Sequence, residues 1–436
     1  MRSELFQRDY ASRGRVSGCG ICLFAVLMLA STARAENWPS WRGPRGDGTS
    51  TEKNLPIKWS KTENVAWRLA LPGAAGATPV VWNDRIFLTS VDGEALVLIA
   101  ASTDGKQLWK KPVATGNRSV RGDEGNLASP SPVTDGKHVW SFMAEGTLAC
   151  FDFDGNQVWK TFLPDRYGKL NIAFGMSSTP VLDDNRLYLQ LMWGGGAFVL
   201  ALDAKNGDEI WKHVRVSNAR AECKDSYASP FMYQDQAQKY LLTHGADYII
   251  AHDLKDGHEL FRCGGLNPPD NYNPTLRLVA SPVAIPGVIV VPSAKNGPVL
   301  GISPDAKGDI TNTDKFHLWT RAHNTPDVPS PVIHDGLLYL CRENSNLICL
   351  DVMTGNEVYK ERRTHADRCR ASPVYADGHL YITSRDGTVS VIKAGRDFEI
   401  VSTNDMEESI SSSPAFSGGR IYFRSYEALW AIGTVK

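Results

Sequence analysis

The chain has 436 residues, 22% of them charged, and a formal net charge of −1. Its 47 Lys and Arg against 48 Asp and Glu leave no basic surplus, which argues against nucleic acid or an anionic membrane surface as partner. Length alone suggests two or three domains, but a repeat along the chain overrides that reading.

Residues 1–35 read as an export signal. Arg13 and Arg15 form its basic start, residues 21–30 a short apolar core, and Ala33-Arg34-Ala35 a small-x-small cleavage site before Glu36. The apolar run is too short to span a bilayer, and no later run reaches that length. The segment carries five arginines against Glu4 and Asp9. Its removal leaves a mildly acidic exported chain, periplasmic or extracellular. Six cysteines follow: Cys150, Cys223, Cys263, Cys341, Cys349 and Cys369. Cys150 and Cys349 occupy a position that Ala201 and Ala251 fill elsewhere in the repeat, so they read as small buried apolar residues. Cys223 with Cys263 is the first pair to test for a disulfide.

Residues 36–57 are rich in Gly, Pro and Trp and read as a strap, not a strand. Trp38 and Trp41 pin it to the body that follows. Gly43 to Gly48 lacks the Gly-Lys-Ser/Thr ending of a phosphate loop and reads as a turn. Residues 64–69 then look like a lone fourth strand with no first three before it.

From there a pattern recurs. It opens at Thr78-Pro79-Val80, Ser131-Pro132-Val133, Thr179-Pro180-Val181, Ser229-Pro230-Phe231, Ser281-Pro282-Val283, Ser330-Pro331-Val332, Ser372-Pro373-Val374 and Ser413-Pro414-Ala415. Its end is a turn followed by an aromatic: Gly105 to Trp109, Gly155 to Trp159, Gly207 to Trp211, Gly257 to Phe261 and Gly355 to Tyr359. Between these marks lie short runs of Val, Leu and Tyr separated by Gly, Asn and Asp, the pattern of an antiparallel meander. Four strands in about fifty residues make one propeller blade. The fifth repeat is irregular; its closing aromatic is Trp319, after an insertion around residues 308–310. The eighth has only three strands, and the lone strand at 64–69 matches that deficit. The fold expected is therefore all-β: an eight-bladed β-propeller of four-stranded antiparallel blades, closed by an N-terminal strand. Its parts are a signal at 1–35, a strap at 36–57 and a single propeller at 58–436.

Trp67, Trp109, Trp159, Trp211, Phe261, Trp319 and Tyr359 are expected to dock one blade on the next, each indole N–H bonded to main chain. Asp152, Asp203, Asp253 and Asp351, just before the closing turns, are expected to bond backbone within them.

The run Ala201-Leu202-Asp203-Ala204-Lys205-Asn206-Gly207-Asp208-Glu209-Ile210-Trp211 resembles the pyrroloquinoline-quinone-type (PQQ-like) propeller repeat. That resemblance covers residues 59–433. The leader around Trp38 to Pro44 and the run Ala128 to Val133 are similar to exported bacterial relatives of the outer-membrane assembly propeller lipoprotein. Membership in the quinoprotein alcohol dehydrogenase-like superfamily implies eight blades and leaves chemistry open, because non-catalytic scaffolds and dehydrogenases share it. The dehydrogenase branch implies a quinone stacked between a tryptophan and a disulfide of adjacent cysteines, with calcium on the quinone. This sequence has no Cys-Cys pair and no C-x-x-C-H.

Segments just before each opening motif enter the innermost strands and line one mouth of the channel. They carry Arg121, Asp123, Glu124, Tyr167, Glu222, Asp225, Arg277, His323, Arg368, Arg370, Glu407 and Glu408. Of these, Arg121, Asp123, Glu124, Tyr167, Asp225, Arg277, His323, Arg368, Arg370 and Glu407 are the candidate ligand residues; the bland alternative is a solvated loop rim. His244 and His252 fall in strands and read as buried neutral imidazoles. No Ser-His-Asp order, zinc helix or P-loop is legible, so no catalytic or metal residue is assigned. The expectation is a monomeric, non-catalytic binding or scaffold module without cofactor, for a protein or glycan partner of acidic character. The alternative is a PQQ- and calcium-dependent alcohol or sugar oxidoreductase.

Overall fold

Short Val-, Leu- and Tyr-rich runs pair into hairpins wherever Asn, Asp and Gly supply the turns between them. In blade three the strands Val181–Asp183, Arg186–Trp193, Gly196–Asp203 and Glu209–Val214 lie side by side in that order, all antiparallel. The first turn places Asp184 and Asn185 at φ 46° and 60°, the left-handed geometry that short polar residues tolerate in two-residue hairpins. The computed structural model describes residues 35–117, 119–120, 125–171, 175 and 178–433. Of the export reading, residues 1–34 therefore lie outside the described residues.

Eight such sheets follow one another. Their innermost strands are Val80–Trp82, Val133–Thr134, Val181–Asp183, Phe231–Gln234, Val283–Ile285, Val332–His334, Val374–Ala376 and Ala415–Ser417. Blade eight adds Arg420–Arg424 and Ala428–Ile432, and Val65–Ala70 completes it with Ala70 opposite Ala428. The chain is an eight-bladed propeller, and the N-terminal strand closes it. Blade four holds a surprise: Gly308–Asp309, from the insertion in blade five, runs parallel to Glu259–Cys263 as a short fifth strand.

Two repeated contacts join the blades. The indole N–H groups of Trp67, Trp109, Trp159, Trp211 and Trp319 donate to carbonyls of the next blade: Thr103, Phe153, Ala204, Leu254 and Val352, at 2.8–3.0 Å. Each ring lies on a glycine of that blade's closing turn. A Cβ at Gly105, Gly155, Gly207, Gly257 or Gly355 would come within 2.5–2.9 Å of it. The motif's Gly and Trp are thus partners across blades, not within one. Phe261 and Tyr359 hold the same register, opposite Ala251 and Cys349, and both are buried. The turn aspartates accept backbone N–H bonds as expected, Asp152 from Asp154 and Asn156 among them.

The second contact is a ring of hydroxyls. Each opening residue's N–H donates to the hydroxyl of the next: Thr78 to Ser131, then to Thr179, Ser229, Ser281, Ser330, Ser372 and Ser413, at 2.9–3.2 Å. All eight are buried. Thr78 Oγ1, where the ring closes, has no hydrogen-bond partner among the described residues.

The strap crosses from blade to blade. Trp38 pairs with Val81 of blade one through two 2.8 Å backbone bonds, and Pro39 O accepts from Thr134 N of blade two. Arg42, 5% exposed, donates to the carbonyls of Ser330 and Pro331 in blade six. Burial pushes its guanidinium down to about 10, still charged at neutral pH. Gly48 and Ser50 bond Tyr375 of blade seven, and Glu52 accepts from Gly418 N and Gly419 N of blade eight.

Candidate functional site: the central cavity

Because every innermost strand opens with the same motif, the residues just before it converge on the axis. They enclose a cavity of about 310 Å³. Hydroxyls of Ser129, Ser131, Thr179, Ser229, Ser372, Ser411 and Ser413 form much of its wall. Its charged groups are Arg277, Arg368, Arg370, Asp327 and Glu343, and its floor carries Trp41 of the strap. Trp41 also lines a smaller cavity with Pro180, Pro230 and Pro282, which follow the hydroxyl residues in their strands. The indole therefore partitions the axis, and the strap closes the funnel from below. In blade eight, outside this lining, the buried Arg424 fixes the approach to blade one by donating to the carbonyls of Gly73 and Ala75.

Arg277 pairs with Glu222 at 2.9 Å and Arg370 with Glu343 at 3.4 Å. Arg368 is exposed and enters no ion pair among the described residues. Arg277 and Arg370 are thus each held by a carboxylate, and Arg368 is the lining arginine left outside these pairs.

Of the candidate ligand residues, Arg277, Arg368 and Arg370 line this cavity. Arg121, Asp123 and Glu124 lie outside the described residues. The remaining four are not among its lining residues. Tyr167 ends the short helix Leu163–Tyr167 and donates from its hydroxyl to Glu209 at 2.6 Å, on the outer strand of blade three. Asp225 follows the turn Ala221–Lys224, its N–H on Glu222 O. His323 is exposed beyond the outer strand of blade five. Glu407 is 2.8 Å from Lys61, beside the closing strand. Glu408, named with them, is a structural acid. Burial pushes its carboxyl up, but bonds from Ser425, Trp430 and Arg68 outweigh that and hold it below its ordinary range.

Trp41 was legible only as a pin, and Asp327 and Glu343 carried no motif. His244 and His252 are fully buried, and burial holds both near 3, so they are neutral packing groups. All six cysteines are free and buried, Cys223 and Cys263 included. Cys223 Sγ faces Asn273 O at 3.2 Å, whereas Cys263 Sγ faces His317 Nε2 at 3.7 Å. The pair expected first is thus not bonded.

The family described as outer membrane protein assembly factor BamB matches this chain over residues 49–123 and 95–361. The chain belongs to that PQQ-like propeller family. Among curated proteins, a polyvinylalcohol dehydrogenase of a Pseudomonas species is 22% identical over 304 residues, 56% of this chain and 46% of the relative. The BamB-family chain thus spans about half the length of that relative. Among solved structures, BamB of Moraxella catarrhalis superposes with a TM-score of 0.59 at 13% identity, covering 84% of this chain and 96% of that one. The quinohemoprotein alcohol dehydrogenase of Comamonas testosteroni gives 0.68 at 13% identity, covering 91% and 80%. A europium-containing methanol dehydrogenase gives 0.68 at 10%, covering 90% of each chain. These likenesses establish the fold, which serves binding proteins and enzymes alike.

Proposed function

We propose that this BamB-family propeller is an exported, non-catalytic binding module whose closed funnel takes an acidic, carboxylate-bearing segment of a protein partner. The observation that carries the reading is Arg368, exposed and in no ion pair among the described residues, beside Arg277 and Arg370 over the Trp41 floor and within a wall of hydroxyls. Guanidinium groups bind carboxylates through paired N–H donors, and Ser and Thr hydroxyls complete such a site. The funnel suits part of a quinone equally: Trp41 offers one flat face, and the arginines suit acidic substituents. It suits the accompanying calcium poorly. That ion needs six to eight oxygens, whereas the described lining offers the carboxylates of Asp327 and Glu343 among three arginines. None of the six cysteines is a lining residue, so a second stacking face is also wanting. The oxidoreductase reading rests on the polyvinylalcohol dehydrogenase match and on Trp41.

The test uses chain recovered from the exported fraction, whose N-terminus at Glu36 checks the export half by mass spectrometry. Glu-rich peptides are titrated by calorimetry against their Gln counterparts. Binding of the acidic set alone, weakened at least tenfold by Arg368→Ala, is expected. Steady dye-linked oxidation of alcohols after loading with pyrroloquinoline quinone and calcium would overturn the proposal, as would equal affinity for both peptide sets.

A further inference from the structure

Behind the blade-six and blade-seven wall of the cavity lies a cluster that the binding reading does not use. Cys341 ends the second strand of blade six, Leu337–Cys341. Cys369 sits in the connection to blade seven, its N–H on Glu343 O at 2.8 Å. Both are fully buried in one packed cluster, and each thiol is the neighbour that most shifts the other's ionisation. His365 Nε2 lies 3.2 Å from Cys369 Sγ.

The hydrogen bonds around His365 assign its tautomer. Nδ1 lies 3.1 Å from both Thr364 Oγ1 and Ser390 Oγ. The Thr364 hydroxyl already donates to Ser345 O, and the Ser390 hydroxyl to Thr364 O, each at 2.9 Å. With their hydrogens committed, both oxygens accept toward Nδ1. Nδ1 therefore carries the proton, and the Nε2 lone pair faces the Cys369 thiol. A base aimed at a thiol, itself oriented by a third group, is the arrangement that activates a cysteine nucleophile.

From this geometry we infer that Cys369 and Cys341 form a peroxide-oxidisable dithiol, with Cys369 the attacking and Cys341 the resolving thiol, and His365 the base that ionises Cys369. The Cys341 thiol and His365 together outweigh burial and lower the Cys369 thiol below its ordinary range, while Cys341 itself is raised. The other cysteines differ: burial pushes Cys150, Cys263 and Cys349 up to about 12. Asp386 is the carboxylate whose charge reaches His365 from the blade-seven side. The connection next to the pair is exposed at Ala366, Asp367 and Arg368, and His365 is half-buried. With both thiols fully buried, the oxidant they suit is a small peroxide and not a protein.

The chemistry balances. His365 takes the Cys369 proton, and the thiolate attacks one oxygen of hydrogen peroxide. An S–O bond forms, the O–O bond breaks, and the departing hydroxide takes the imidazolium proton to leave as water. Cys341 then attacks the sulfenic sulfur: an S–S bond forms, the S–O bond breaks, and that hydroxide leaves as water with the Cys341 proton. Two thiols are oxidised and one peroxide is reduced to two waters.

To test this, the full chain is reduced, freed of reductant, exposed to hydrogen peroxide and quenched with a maleimide in denaturant. Peptide mass spectrometry is expected to find Cys341 linked to Cys369 and the other four cysteines alkylated. His365→Asn is expected to slow the link at least tenfold, and Cys341→Ser to leave a Cys369 sulfenic acid that dimedone traps. Scrambled pairing, no 341–369 peptide, or an unchanged rate in His365→Asn would overturn the inference. If His365→Asn does not fold, the pH profile of the unaltered chain decides. A rate already level below pH 8, under the ordinary thiol value of about 8.5, supports it, and one still climbing through that value refutes it.

Discussion

Thr179 N has no strand partner to bond; its donor ends on Ser229 Oγ at 2.9 Å, and both residues are buried. The opening hydroxyl therefore serves the neighbouring blade's backbone, which explains why Ser or Thr stands at all eight starts. Ser229→Ala strands that N–H and should cost about 1–3 kcal/mol, the penalty for a buried donor left unsatisfied. Thr78→Val removes a hydroxyl that has no partner among the described residues while keeping its N–H bond to Ser131. It should leave stability unchanged or raise it, because a buried hydroxyl without a partner gives up no bond when an apolar group of the same shape replaces it. Melting temperatures of the two variants check this: a clear drop for Ser229→Ala beside none for Thr78→Val is expected, and equal drops would remove the ring from the account.

The closing turn and the closing aromatic belong to different blades, so a blade is stable only against its neighbour. Gly257 (φ 78°) and Gly265 (φ 83°) share the same left-handed backbone, and alanine strains both alike. Only at Gly257 does the added Cβ meet the Trp211 ring, at 2.5 Å; at Gly265 nothing lies within 4 Å. Gly257→Ala should therefore cost about 1–3 kcal/mol more than Gly265→Ala, the usual cost of overpacking. Trp211→Ala should cost about 3–5 kcal/mol and abolish that difference, because the two residues act on one contact. Denaturant titrations of these three variants and of each glycine change in the Trp211→Ala background measure it, and equal costs for the two glycines would place the docking energy elsewhere. The repeat was legible because both partners recur at fixed spacing, and so does the small residue opposite the aromatic, Ala201 facing Trp211 and Cys150 facing Trp159. The parallel strand Gly308–Asp309 was not legible. Two residues paired to another blade leave no period in the sequence.

Across the whole ring, strand polarity decided how much of the cavity could be read. Arg277, Arg368 and Arg370 were legible because a segment entering an innermost strand must reach the axis. Tyr167, His323 and Glu407 stand in similar segments but farther from the opening motif, while Asp225 has the same offset as Arg277 and Arg368 yet is not among the lining residues, because sequence gives the end of the blade without the distance from the axis. Trp41 needed the path of the strap, which nothing local to residues 36–57 sets. The same long-range logic governs closure. Trp67 docks on Gly105 of blade one, while its strand Val65–Ala70 pairs with Ala428–Ile432, so this one strand removes the last open edge and links first blade to last. Deleting residues 36–57 keeps that strand and should leave a monomer with one cooperative melting transition at a lower temperature. Deleting residues 36–70 exposes the edge of Ala428–Ile432, and an unpaired edge invites association. That variant should form soluble oligomers and melt over a broad range. A synthetic peptide of residues 58–71, added in excess, should restore monomer and sharpen the transition, because it binds only the folded ring. Sedimentation and calorimetry read both effects. If the longer deletion stays monomeric and melts with the shorter one, blade eight stands on three strands and closure lies elsewhere.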